Sequence, residues 1–196
     1  MLDTRRFPIV LNTCSPPSAD YVQDRKMVKL YPQGSNNYSP FGVKMCKFSL
    51  SSDHWLDPTT TCLNFQVVNN SYDGTGNTNI HMVNGSWAFI KRLRVMMGGT
   101  LIEDLSHYPR LWHQLLQAAP QAYRDNLSIA AGKRGDIITD SAKFAWPILC
   151  GLLNTQDKLI PLNWANLNLE FEFVDSIVDV MVETGALPSG VTGQST

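Results

Sequence analysis

The side chains of this chain that could do chemistry include four histidines, four cysteines and the carboxylates Glu170 and Glu172, two residues apart. A metal site needs three or four such groups converging, and the usual spacings are Cys-x-x-Cys or paired histidines. His54, His81, His107 and His113 are scattered, and His81 stands alone between Ile80 and Met82. Cys14, Cys46, Cys62 and Cys150 are equally far apart, so no zinc set forms and no disulfide is demanded. Cys46 and Cys150 lie in apolar runs and read as small core residues. Glu170 and Glu172 share one face of a strand, but acid/base work also needs a cleft, and a solvated or subunit-facing surface fits them better. No Gly-x-Ser-x-Gly elbow occurs, and Met97-Gly98-Gly99 lacks the lysine and the helix of a phosphate cradle. No catalytic residue, cofactor or metal is therefore expected, and the chain reads as a building block and not as an enzyme.

Binding chemistry likewise needs converging groups that are not already paired within the chain. Lys91, Arg92 and Arg94 interleave with Leu93 and Val95, as a nucleic-acid stripe would, yet Glu103 offers Arg94 a partner within the same hairpin. Arg5-Arg6 is a second, smaller basic pair. The formal net charge of −1 supplies no global field for a polyanion, so no specific nucleic-acid contact is expected. Residues 1–98 carry ten Lys/Arg against six Asp/Glu, and residues 99–196 six against eleven. That split suits either two differently solvated faces or head-to-tail packing of copies. Trp55, Trp87, Trp112, Trp146 and Trp164 read mostly as core or interface anchors, with carbohydrate platforms as the alternative. Asn37, Asn69, Asn84 and Asn126 each begin an Asn-x-Ser sequon, but no basic-then-apolar leader precedes them, so glycosylation is not expected. No apolar run is long enough to cross a bilayer.

The elements that must hold these residues are almost all strands. At 43% hydrophobic and 17% charged residues, 196 residues suit one well-filled domain. Residues 1–40 read as a polar arm with one short strand, Met27–Tyr31, and residues 185–196 as a flexible tail or linker. Between them, 41–184 shows strands at 44–50, 61–68, 79–83, 144–153, 158–162, 166–173 and 177–182. The clearest is Asn166–Phe173, where Leu167, Leu169, Phe171 and Phe173 alternate with Asn168, Glu170 and Glu172. Residues 120–141 read as a long loop. No βαβ alternation appears, which leaves an all-β, antiparallel two-sheet sandwich of jelly-roll type with one short inserted helix.

The centre of the chain is a hairpin running into that helix. A two-residue turn at Gly98-Gly99 predicts that Arg94 opposes Glu103, Val95 opposes Ile102 and Met96 opposes Leu101. Ser106 is placed to cap a helix whose apolar stripe is Tyr108, Leu111, Trp112, Leu115, Leu116 and Ala119. Arg94, Gly98, Gly99, Glu103, Trp112 and Phe171 are the structural residues expected to matter most.

The run Ile90-Lys-Arg-Leu-Arg-Val95, Gly98-Gly99, Leu101-Ile-Glu-Asp-Leu105, then Tyr108 and Leu111, resembles the strand–turn–strand–helix signature of double jelly-roll major capsid proteins. The likeness is to those of Polinton-like viruses, virophages and adintovirus-type elements, in the lineage that includes adenovirus hexon. Phe144–Leu153, Leu159–Leu162 and Leu167–Phe171 resemble the closing strands of the first barrel in such proteins, and the likeness spans roughly residues 44 to 182. It implies a trimeric capsomer, with other capsid proteins as partners, in an icosahedral virion shell assembled from protein made in the host cytoplasm. The family carries two barrels, and this chain has length for about one. The alternative is a lectin-like jelly roll that binds carbohydrate or another ligand without catalysis.

Overall fold

The structure is a computed structural model, and it describes residues 24–39, 42–72, 74, 79–154, 158–176, 178 and 180–183. Arg5-Arg6, Cys14, the first part of the arm, half of the 69–78 loop and the 185–196 tail lie outside the described residues. Eleven strands are present among those described: β1 (Met45–Leu50), β2 (Trp55–Leu56), β3 (Cys62–Val68), β4 (Ile80–Met82), β5 (Ile90–Met97), β6 (Thr100–Ser106), β7 (Ile137–Ile138), β8 (Ser141–Pro147), β9 (Ile160–Pro161), β10 (Leu167–Phe173) and β11 (Met181–Glu183). Three helices accompany them: α1 (Tyr108–Ala118), α2 (Gln121–Ala131) and the single turn α3 (Gly151–Asn154).

The pairing is nested. β1 pairs with β10, β2 with β9, β3 with β8, β4 with β7 and β5 with β6, every pair antiparallel. That is one long hairpin with its tip at Gly98-Gly99. Two further pairs, β10 with β5 and β11 with β4, roll the hairpin up and close it. The result is an all-β jelly-roll sandwich, in which rolling lets a long ribbon bury one face against itself. One sheet has the order β1-β10-β5-β6. A single apolar core joins its inner side, including Cys46, Leu93, Val95, Leu169 and Phe171, to Leu63, Phe144 and Trp146 of the β3–β8 pair. Aromatic rings fill the space between. Phe65 meets Phe89, Phe144 and Trp146 at centroid distances of 5.7, 6.1 and 5.0 Å, and Phe48 meets Phe171 edge-on at 5.9 Å.

Several expectations need correcting. Residues 120–141 are not a loop, since they contain α2 and β7, and three α-helices occur among the described residues where one helix was expected. α2 was hard to see because only Leu127 and Ala131 of it are buried. The apolar run 144–153 is not one strand: Pro147, which cannot donate to a ladder, ends β8, and α3 follows. Met27–Tyr31 forms no strand; that segment is extended and exposed, joined to the body by one bridge from Gln33 to Lys47. The helix cap is His107 and not Ser106, with His107 in the left-handed region (φ 59°) while Ser106 still pairs with Arg92 in the hairpin. That entry turns the helix so that Tyr108 and Trp112 face the core and Leu111 and Leu115 face out.

Candidate functional site

The hairpin that the sequence singled out forms half of the four-stranded sheet, and its outer face carries the richest chemistry of the described residues. Gly98 and Gly99 sit at φ +58° and +83°, the two positive values that a two-residue turn joining right-twisted strands requires. From the turn, Met97 opposes Thr100 and Met96 opposes Leu101, as predicted. The register then slips by one at a bulge, so Val95 opposes Glu103 and Arg94 opposes Asp104. The expected Arg94–Glu103 and Val95–Ile102 pairs are therefore not made. The slip was illegible because an acid stands at both 103 and 104, so either register offers Arg94 a carboxylate.

The bulge separates the two acids. Glu103 takes the inward row, where its carboxylate accepts the backbone N–H of Gly151 at 2.9 Å and of Leu152 at 3.4 Å. It thus ties β6 to the first turn of α3, whose leading N–H groups have no partner within the helix. Asp104 takes the outward row. There the register aligns Lys47, Glu170, Arg94 and Asp104 straight across β1, β10, β5 and β6, with the charge alternating at every step. Glu170 is the buried member, its side chain 9% exposed, and it meets Lys47 at 2.6 Å and Arg94 at 3.5 Å. Cross-strand pairs of opposite charge favour one register, and like charges would oppose it.

The next row continues the pattern. Arg92 opposes Glu172 and makes a two-pronged ion pair with Asp104, which holds the Asp104 carboxyl below its ordinary range. Lys91 and Lys44 both reach Asp175, at 2.5 and 2.9 Å. Hydrogen bonds from these two ammonium groups, Lys91 first, bring the Asp175 carboxyl down to about 2. The five cations Lys44, Lys47, Lys91, Arg92 and Arg94 thus meet the four anions Asp104, Glu170, Glu172 and Asp175 on one face. The basic run is engaged with its own sheet, and Glu170 and Glu172 are held apart by different cations.

The other predicted residues fall in the core. Trp112 is buried and stacks on Trp87 at 5.4 Å, beneath β5. Next to it, the Tyr108 hydroxyl accepts the Leu149 N–H at 2.9 Å, and burial pushes its own ionisation up to about 12. Phe171 packs at the centre of β10. Cys46 and Cys150 are buried, and burial raises both thiols, Cys150 to about 11. His54, His81, His107 and His113 are not brought together, and among the described residues no group of three or more His, Cys, Asp or Glu could hold a metal ion. No helix among them is long and apolar enough to cross a membrane.

Sequence reasoning missed the apolar surface left outside. Met27 and Val28 are 95% and 70% exposed, and Tyr31 is 67% exposed. Leu101 and Ile102 of β6 are about half exposed, and β6 ends the sheet order with no strand beyond it among the described residues. Leu115, Ala118, Ala119, Pro120 and Tyr123 line a shallow cavity of about 300 Å³ where α1 meets α2. Trp55 and Trp164 form an exposed edge-on pair at 5.7 Å. The signal for the β6 patch was present in the alternation: Leu101 and Ile102 are adjacent, so both cannot point into the core.

No protein-family model matches the sequence, and no curated protein matches it. Among the solved structures that superpose on it are the crystal structure of PBCV-1 VP54 fitted into a cryo-EM reconstruction of the virophage Sputnik and a quasi-atomic model of the PBCV-1 virus capsid. Each has 14% sequence identity and a TM-score of 0.48, covering 84% of this chain and 38% of the other. The chain thus spans well under half the length of these structures.

Proposed function

We propose that this chain is a structural subunit of a viral capsid that works by self-association, with no catalytic step. Its place is the virion shell, its partners are further copies and other capsid proteins, and its assembly unit is a trimer. The division into an arm (1–40), a jelly roll (41–184) and a tail or linker (185–196) belongs to the same reading, with the barrel corresponding to the first of two in the resembled family. Synthesis in the host cytoplasm is the expectation that goes with it.

The observation that carries the reading is a closed jelly roll that leaves large apolar side chains outside on separate tracts, at Met27–Tyr31, at Leu101-Ile102 and at the α1–α2 groove. A rigid barrel with uncovered apolar tracts is suited to touching other proteins. The outer sheet face supports a protein partner over a polyanion, because a phosphate backbone would have to displace carboxylates already paired with Lys47, Lys91, Arg92 and Arg94. The test is light scattering on the full-length chain across a dilution series. Mass that rises with concentration through a trimer supports the proposal, and a monomer at every concentration overturns it.

The exposed Trp55–Trp164 pair favours a second reading, a lectin-like module that stacks sugar rings on indoles. Binding on a glycan array that disappears in Trp164→Ala would establish it, and an array without hits would dismiss it.

A further inference from the structure

We infer that the extended segment Met27–Tyr31 of one copy adds as an outer strand to β6 of a neighbouring copy, an arm-to-edge contact that joins subunits head to tail. The inference rests on the self-association proposed above and names the two surfaces involved. A strand at the end of a sheet presents a row of unpaired N–H and C=O groups, and an extended peptide of strand-forming residues is its natural complement. Both halves occur here. β6 is seven residues long and pairs only with β5 among the described strands. Met27-Val-Lys-Leu-Tyr31 is rich in strand-forming residues, is extended and exposed, and has no backbone hydrogen bond of its own among the described residues.

Charge does not oppose the contact. The stretch from Asp24 to Tyr31 carries Arg25, Lys26 and Lys29 against one acid, and β6 carries no base, its Glu103 being bonded to α3 and its Asp104 to Arg92. Apolar side chains accompany the charges on both sides, Val28, Leu30 and Tyr31 on the segment and Leu101 and Ile102 on the edge. The bulge beside Ile102 blunts the tip of β6, but the register from Glu103 to Ser106 is regular and leaves a straight stretch to pair against.

Geometry excludes the same chain as the donor. Gln33 is pinned to Lys47 on β1, which is the opposite edge of the sheet from β6. A strand added outside β6 would lie five strand spacings from Gln33, about 24 Å. Tyr31 is two residues from Gln33 and reaches about 7 Å, and even Met27 at full extension reaches only about 20 Å. The segment must therefore reach a second copy. Because donor and acceptor are different surfaces, the contact is heterologous, and three such contacts can close a ring of three.

Two variants test this on the full-length chain. Val28→Pro with Leu30→Pro removes two donors from the arm and leaves the barrel alone, since the segment makes no backbone bond to the described residues. Leu101→Lys with Ile102→Lys places charge on the half-exposed edge, the device by which natural edges refuse partners. A thermal melt confirms that each still folds. Each variant alone is expected to associate at least about tenfold more weakly than wild type in sedimentation velocity. An equal mixture has one intact arm and one intact edge, so it should give a 1:1 heterodimer and nothing larger. If wild type associates and the mixture gives no heterodimer, the arm-to-edge contact is wrong while self-association stands. A wild type that stays monomeric overturns both.

Discussion

Glu170 is the member of the charged row whose removal should be felt most. It is the only buried acid of the outer sheet face among the described residues, and two cations on neighbouring strands depend on it. In Glu170→Ala, Lys47 and Arg94 lose their shared carboxylate. Breaking a fully buried pair costs about 3–5 kcal/mol, because the remaining charge is stranded. Here the cations are 51% and 31% exposed, so water takes up part of the loss and the cost falls to about 1.5–3 kcal/mol. For a chain of this size that lowers Tm by about 4–10 °C. Glu170→Gln keeps the shape and one acceptor, so it should lose about half as much. Thermal and urea melts of Glu170→Ala, Lys47→Met and the double variant form a cycle whose coupling should be about 0.5–1.5 kcal/mol. A Glu170→Ala protein within about 0.5 kcal/mol of wild type, or a coupling near zero, would refute the claim that this row helps to set the register.

Three more perturbations address other parts of the molecule. Glu103→Ala leaves the Gly151 and Leu152 N–H groups without their acceptor and should cost about 1–2 kcal/mol in urea unfolding, whereas Glu103→Gln, which retains a carbonyl acceptor, should recover much of it. At the hairpin tip, Gly98→Asn should fold nearly as well as wild type, since asparagine tolerates this φ and a Cβ there is 3.7 Å from Ala165, while Gly99→Val at φ +83° should cost about 1–3 kcal/mol in a thermal melt. Asp175 has its folded pKa lowered, from 3.8 to about 2, so the stability it confers is complete above pH 4 and is lost as pH falls from there toward 2. Tm plotted against pH for wild type and Asp175→Asn should therefore converge over that window, and added salt should narrow the gap at pH 7.

The parts of the fold that the sequence made legible are those where one physical signal acts alone. In β10, one side of the alternation faces core and the other faces charge, so period two was enough to find it. At Gly98-Gly99, adjacent glycines between apolar runs leave few structures other than a tight turn. Legibility failed where two signals competed. Asp104 beside Glu103 made two hairpin registers equally good by charge, and only the three-dimensional need for an acid at α3 separates them. Leu111 and Leu115 extended the apolar stripe of α1, but the left-handed His107 sets the rotation, and that conformation leaves no mark on periodicity. α2 gives most of its surface to solvent, so its pattern is polar and reads as loop. The nested pairing was the least visible of all, because β2, β7 and β9 are two residues long and acquire meaning only from their partners. On the charged face, a carboxylate of the same hairpin was legible as a partner for Arg94, but Glu170, Glu172 and Asp175 were not, since they lie some eighty residues downstream of Lys91 and Arg92.

Native mass spectrometry of the full-length chain, over concentrations that span the onset of association, decides whether copies of it assemble in threes. The expected result is a monomer that gives way to a trimer and then to larger species in multiples of three. A single monomeric charge series throughout, or dimers with no trimer, would contradict it.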